Sequence, residues 1–231
     1  MIDKSRLESA ILSIYPDIQQ RVTSVVGDAD EQLLWKELSC CILSSQVKYS
    51  LAVSAAEHLE REGLFTSRRA VCVDWLESAL RDPLTVEQKV VRYRFPRSKA
   101  RQLGDTHDTV CAHAGGLSAL LESFSCGEEA RRWLVANVAG LGPKQASMFL
   151  RNTGMTYDLA VLDRHVIDYM AAIGLIGAGR AELSTLSGYA KREKILKSYA
   201  QGLGMAVGLL DWAIWIVMRV FKNSCGKVAF S

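Results

Sequence analysis

Apolar residues recur every three to four positions along almost the whole chain, and that period predicts helices. Residues 5–26 read as one helix with Leu7, Ile11, Ile14 and Ile18 inward and Pro16 as the point where it can break. Residues 31–45 form a second, with Leu34, Leu38, Cys41 and Ile42 on one face. Further helices are predicted over 51–63, 71–81, 98–114, 116–124, 128–139, 163–173, 181–186, 188–203 and 205–221. No stretch alternates in the manner of a strand; a short pairing around 85–91 is the one exception allowed. The last apolar run, 205–221, is short for a membrane span and carries Asp211 in its middle and Arg219 near its end, so a buried core helix is the better reading.

The pattern breaks most informatively at Val-Ala-Gly140-Leu-Gly142-Pro143-Lys144. An apolar helical run precedes it. A second begins at Pro143, buries Ala146, Phe149 and Leu150, and ends before Gly154. Pro at the first helical position and Gly just past the last give both boundaries a mechanism. The result is a helical hairpin with a glycine-rich bend. Such a bend suits an anion: glycine lets the backbone approach closely, and the first N–H groups of the second helix have no intrahelical partner. An ordinary helix connection also favours Gly and Pro, so the bend alone decides little.

Lys144 changes the balance. A lysine in the first turn lies at the positive end of the helix dipole, where a cation is least favoured. That placement disfavours the charged form, and a nucleophilic amine must be neutral. Asp163 follows in Val-Leu-Asp-Arg-His, where it is expected to cap the next helix or to serve as a carboxylate beside a poised lysine.

These residues resemble the helix-hairpin-helix DNA glycosylases that carry a Gly/Pro-rich loop and a following Asp. Within them, Gly-Leu-Gly-Pro-Lys-Gln-Ala-Ser-Met-Phe-Leu-Arg-Asn is most similar to the archaeal-type 8-oxoguanine DNA glycosylase/AP lyases. The resemblance covers about 35–227, most specifically the hairpin. It implies an all-α, two-lobed fold with a DNA cleft between lobes: lobe one about 30–137, lobe two about 1–29 plus 138–231, hairpin about 130–154. It implies catalysis by Lys144, as the amine attacking C1′, and Asp163, as the supporting carboxylate. It places Gln46, Lys48, Gly140, Gly142, Gln145, Arg164 and His165 at DNA. Ser44, Tyr93, Phe95, Asp211, Trp212 and Trp215 are expected around the extruded base. The partner is double-stranded DNA with a modified base, and a monomer is expected. A main-chain-bound monovalent cation at the hairpin is allowed by the same analogy.

Two departures qualify the analogy. Relatives with an iron–sulfur cluster carry four closely spaced C-terminal cysteines, whereas Cys225 stands alone, so no cluster is expected. Relatives that read 8-oxoguanine tend to end in a lysine; here Gly226-Lys227-Val228 is followed by Ala229-Phe230-Ser231. The same chemistry on another base, such as a hypermodified pyrimidine of phage DNA in antiviral defence, is therefore the alternative.

Composition adds little. The chain has 231 residues and a net charge of +3, so overall charge does not announce a nucleic-acid binder. Local clustering says more: Lys89 to Arg101 reads KVVRYRFPRSKAR, six cations without an acid and with Tyr93 and Phe95 interleaved, the pattern of a phosphate-tracking surface and equally of an ordinary solvated helix start. Lys191 to Lys197 is a second basic run, broken by Glu193 and read as a solvated helix face. The six cysteines show no paired metal spacing, and the pair Cys111 and His113 lacks a second pair to complete a zinc site. The N-terminus lacks a signal-peptide core, which points to the cytoplasm. Two other classes compete: a non-catalytic helix-hairpin-helix DNA clamp, which needs the glycines but neither Lys144 nor Asp163, and a helical scaffold without a DNA role.

Overall fold

The structure is a computed structural model that describes residues 4–23, 30–64, 72–177 and 183–228. Its elements are α1 (Lys4–Thr23), α2 (Glu31–Leu43), α3 (Tyr49–Arg61), α4 (Val73–Arg81), β1 (Leu84–Val86), β2 (Lys89–Val91), α5 (Pro96–Ala114), α6 (Leu117–Glu122), α7 (Gly127–Asn137), α8 (Pro143–Asn152), α9 (Arg164–Ala172), α10 (Leu186–Gly202) and α11 (Val207–Val228). Among the described residues the fold is all-α apart from one two-stranded antiparallel hairpin, which pairs Leu84 with Val91.

The chain divides into two compact units, one of residues 28–155 and one of residues 1–27 with 156–231. The hairpin therefore belongs with the unit that contains α2 to α7, and 138–155 do not join the second unit as the expected boundary had them. The reason is packing. Phe149 and Leu150 of α8 are fully buried, and α8 lies against α7 and α2.

In the first unit α2 is the hub, packed by α3, α5, α6 and α8. Leu38, Ile42 and Leu43 have no exposed surface, and burying side chains of this kind stabilises the fold by about 1.5–3 kcal/mol each. Glu31 tethers the hub to α6, accepting from the N–H groups of Leu117 (2.6 Å) and Ser118 (2.7 Å) and from the Trp35 indole (2.8 Å).

In the second unit α11 packs against α1, α9 and α10. Ile11, Tyr169, Tyr189, Leu210 and Ile214 lie at the centre of that core. Helix α1 runs through Pro16 without a break. Pro16 and the preceding turn at Leu12 are exposed, so water can take the carbonyl that proline leaves free. The helix expected over 181–186 does not form across 183–185; Thr185 instead caps α10, accepting from Gly188 N–H at 3.1 Å. Residues 181–182 of that segment lie outside the described residues. So do the side chains of Cys225 and Lys227 and the whole of 229–231.

No single helix among the described residues is long and apolar enough to cross a membrane. Asp211 within α11 is buried among neighbours and engaged by backbone, as described below.

Candidate functional site: a helical hairpin and a buried carboxylate segment

The bend between α7 and α8 is built by two glycines in different ways. Gly140 has φ +79°, a left-handed conformation that penalises any side chain. A Cβ there would also lie 2.3 Å from Gln102 Oε1. Gly142 is the N-cap of α8, with φ −87° and ψ 176°, ordinary extended backbone. Its Cβ would meet only Gln145 Oε1, at 3.4 Å. The fold leaves room for a methyl group at 142, where glycine serves as an N-cap residue and leaves the main chain bare.

No side chain caps α8, and the first intrahelical bond runs from Ala146 N–H to Gly142 O at 3.0 Å. The N–H groups of Lys144 and Gln145 thus stand open at the positive end of the dipole. Lys144, at the second helical position, is half-buried, as is Gln145. Within its unit, among the described residues, Lys144 has no hydrogen-bond or ion-pair partner. A buried polar bridge fixes this turn from behind. Arg131 of α7 is 1% exposed and donates Nη1–H to Ser147 Oγ at 3.1 Å, and Ser147 donates to Pro143 O at 2.9 Å. In the sequence Arg131 looks like any surface cation; only its register on the buried face of α7, with Ala130 and Leu134, marks it.

Asp163 is the N-cap of α9. Its Oδ1 accepts from Val166 N–H at 2.9 Å, and its carboxylate has no other partner among the described residues of its unit. The capping role and an available second oxygen coexist in one carboxylate. The segment in front of it, Leu159 to Leu162, is buried and lies in neither helix nor strand. Side chains supply the missing backbone partners. Ala160 N–H donates to Glu193 Oε1 (2.8 Å), Val161 N–H to Asp211 Oδ2 (2.6 Å), and Leu162 N–H to Tyr189 Oη (2.8 Å). Tyr189 returns its own hydroxyl proton to Ala160 O at 2.7 Å. Gly208 at the start of α11 closes the other end. Its N–H reaches Tyr157 O at 2.8 Å, and a Cβ there would lie 2.9 Å from Leu159 O.

Two residues expected to wall a base pocket thus serve the scaffold. Asp211 is 1% exposed and holds Val161. Tyr93 is 4% exposed, and its hydroxyl donates to Leu43 O at 2.6 Å, closing the C-terminal end of α2. Burial pushes the Tyr93 phenol well above its ordinary pKa, so it stays a neutral donor. Glu193, expected on a solvated face, is 2% exposed. It lies on the inward stripe of α10 with Tyr189, Leu196 and Ala200, a register visible in the sequence once the charges around it are set aside.

The loop after α2 carries a second signal. Gln46 is exposed and has φ +63°, a left-handed conformation rare for a residue with a Cβ. Such strain, of order 1–3 kcal/mol, is typically held at functional positions. Ser44 is half-buried and donates to Cys41 O at 2.8 Å, and Lys48 is the exposed N-cap of α3. In the basic stretch Lys89, Arg92, Arg94, Arg97 and Arg101 are exposed, while Lys99 is buried on Gln102 Oε1 (2.8 Å) and burial lowers its pKa. Arg94 lies 5.0 Å over the half-buried Phe95 ring.

Beside Asp163, Arg164 is solvent-exposed, with Asp168 at 3.8 Å. His165 meets Trp215 edge-on, with ring centroids 6.5 Å apart, and Arg219 lies 5.0 Å over the Trp215 ring. Trp212 packs on the core of its unit. Among the described residues no group of three or more His, Cys, Asp or Glu is arranged to hold a metal ion.

Residues 18–205 match a family model described as 8-oxoguanine DNA glycosylase. An 8-oxoguanine DNA glycosylase/AP lyase of Saccharolobus solfataricus is 31% identical over 207 residues, spanning 87% of this chain and 92% of that one. Among solved structures, the 8-oxoguanine DNA glycosylase of Thermotoga maritima matches with TM-score 0.69 and 27% identity, covering 92% of this chain and 93% of that one. The fold is also that of the Methanocaldococcus jannaschii 8-oxoguanine glycosylase/lyase in complex with a 15mer DNA containing 8-oxoguanine, at TM-score 0.70 and 23% identity over 90% of this chain and 94% of that one.

Proposed function

This chain belongs to the helix-hairpin-helix family of 8-oxoguanine DNA glycosylases and is a DNA N-glycosylase with AP-lyase activity, and from that premise we propose how it works and on what. The substrate is double-stranded DNA carrying an oxidised purine of the 8-oxoguanine kind. The bend at Gly140 to Gly142 and the open N–H groups of α8 receive a backbone phosphate, and the exposed cations of 89–101 add a salt-dependent attraction. Gln46 occupies the space that an extruded base leaves in the stack.

The chemistry follows from two side chains. Lys144 Nζ, as the neutral amine, attacks C1′ of the extruded nucleotide; the N–C1′ bond forms as the glycosidic bond breaks, and the base departs with a proton. Asp163, through the oxygen its cap leaves available, stabilises the positive charge that develops at the sugar. The resulting amine adduct opens to an imine, and loss of a C2′ proton then expels the 3′ phosphate. Main-chain carbonyls at the bend are the donors that would hold a monovalent cation, whose charge would add to the pull on the phosphate.

The observation that carries this reading is Lys144 itself: half-buried at the second position of an uncapped helix, with no ion-pair partner among the described residues of its unit. A phosphate clamp needs no such lysine. The test is a panel of duplexes carrying single modified bases, including 8-oxoguanine and hypermodified phage pyrimidines, read for base release and strand nicking. Release of 8-oxoguanine with nicking is expected. Binding without release of any base would leave only the clamp.

A further inference from the structure

We propose that Tyr189, Glu193 and Asp211 are positioning residues for Asp163, which aim its free carboxylate oxygen by clamping the backbone in front of it. The inference rests on the assignment of Asp163 made above.

A buried segment outside helix and strand needs a partner for each backbone N–H, because an unmet buried donor keeps its full desolvation cost. A neighbouring strand is the usual solution. Here three consecutive N–H groups, those of Ala160, Val161 and Leu162, each end on a different side chain, two from α10 and one from α11. Two of the three acceptors are carboxylates, 2% and 1% exposed, and a buried carboxylate is costly unless its charge is met by donors. Side-chain clamps fix a segment to helices rather than to another flexible strand, so the segment moves only if α10 or α11 moves.

The clamp ends at the carboxylate. Asp163 N–H bonds to Val161 O at 2.9 Å, so the residue held by Asp211 in turn holds Asp163. On the other side α9 fixes Oδ1 through Val166 N–H. Backbone and one oxygen are thus both pinned, and the direction of Oδ2 is set by the pair of constraints. Displacement by about 1 Å at a reacting centre can cost on the order of a hundredfold in rate. Tyr189 is the most informative member, because one hydroxyl bonds to both Leu162 N–H and Ala160 O.

The test is a double-mutant cycle on the full chain, read as the single-turnover rate of 8-oxoguanine release, with duplex affinity and thermal unfolding measured alongside. Tyr189→Phe removes one oxygen and keeps the ring. It is expected to slow release by about tenfold or more while leaving the Kd for duplex within about twofold, because it acts through geometry at the sugar and not through binding. In an Asp163→Asn background the same substitution should change the residual rate by less than about twofold, since the group it positions is already gone. An equal loss in both backgrounds, or no loss in either, overturns the inference. If Asp163→Asn alone leaves the rate unchanged, the assignment of Asp163 falls, and the inference with it; that single variant keeps the two failures apart. Should Tyr189→Phe not fold, Glu193 carries the same test. Glu193→Gln retains an oxygen for Ala160 N–H and should recover most of the rate that Glu193→Ala loses, and equal rates for the two would overturn the clamp.

Discussion

Two glycines of one bend should answer differently to the same substitution. In Gly140→Ala the new methyl group meets two penalties. A left-handed conformation costs an L-residue about 1–2 kcal/mol. The methyl would also lie 2.3 Å from Gln102 Oε1 and 2.4 Å from its Cδ, so Gln102 must leave. Its departure breaks the 2.8 Å bond from the buried Lys99 ammonium, and hydrogen bonds to charged groups contribute about 1.5–3 kcal/mol. Because the Gln102 side chain can swing aside and rebond in part, the net loss is taken as about 2–4 kcal/mol, which for a chain of this size lowers Tm by about 5–15 °C. Gly142→Ala meets neither penalty, with φ −87° and its nearest new neighbour at 3.4 Å, and should cost at most about 1 kcal/mol, the N-cap preference for Gly over Ala. On DNA the order reverses in meaning. Gly142→Ala, folded as before, places a methyl group where a phosphate would meet bare main chain, and should weaken duplex binding in a salt titration. Thermal unfolding followed by circular dichroism, with fluorescence anisotropy on a labelled duplex, reads both effects. A Gly140→Ala protein as stable as the native one would refute the backbone argument. A Gly142→Ala protein that binds as tightly at every salt concentration would refute the clamp.

Three further outcomes follow from the same geometry. Asp163→Asn keeps an oxygen for Val166 N–H and should cost only a few tenths of a kcal/mol, whereas Asp163→Ala should cost about 1 kcal/mol; both should slow base release alike, and rates that track stability would make Asp163 a cap and nothing more. Gln46→Gly relieves the strain at φ +63° and should leave thermal stability unchanged or up to about 1 kcal/mol higher while slowing release; losses in both would mark Gln46 as structural. Glu37, whose carboxyl burial raises above its ordinary 4.5 against the pull of the Asn152 and Cys41 hydrogen bonds, binds its proton more tightly folded than unfolded. Stability should therefore fall as pH rises from 4.5 through the folded value, and Glu37→Gln should raise the urea midpoint at neutral pH but not below 4.5; an equal gain at both would contradict the sign.

Much of the helical frame was legible because apolar period and punctuation agreed. Pro143 and Gly154 bracketed α8 closely, and Asp163 marked the start of α9. The failures have physical causes. Pro16 did not interrupt α1, because its lost bond faces solvent. Residues 183–185 stay outside a helix because Thr185 serves as the N-cap of α10, which holds its own backbone in non-helical conformation. Lobe boundaries follow from tertiary packing, and the sequence offers no sign that α8 joins the unit of α2. Of the proposed site, the hairpin and the helix-start positions of Lys144 and Asp163 could be read from local chemistry, whereas the role proposed for Gln46 enters by resemblance. The clamp on 160–162 could not, because its members are a tyrosine, a glutamate inside a basic run and an aspartate in an apolar helix, joined only by the fold. Tyr93 shows the converse: an aromatic among cations suggests a DNA surface, yet its hydroxyl closes α2.

The central claim is that the amine of Lys144 becomes covalently joined to the sugar. Borohydride added during turnover on an 8-oxoguanine duplex reduces an imine to a stable amine, and digestion with mass spectrometry locates the attachment. The account predicts a trapped native complex with the sugar remnant on Lys144, and no trapped complex from a folded Lys144→Gln protein that still binds the duplex. A complex trapped by Lys144→Gln, or a remnant found on another residue of the native chain, would contradict it.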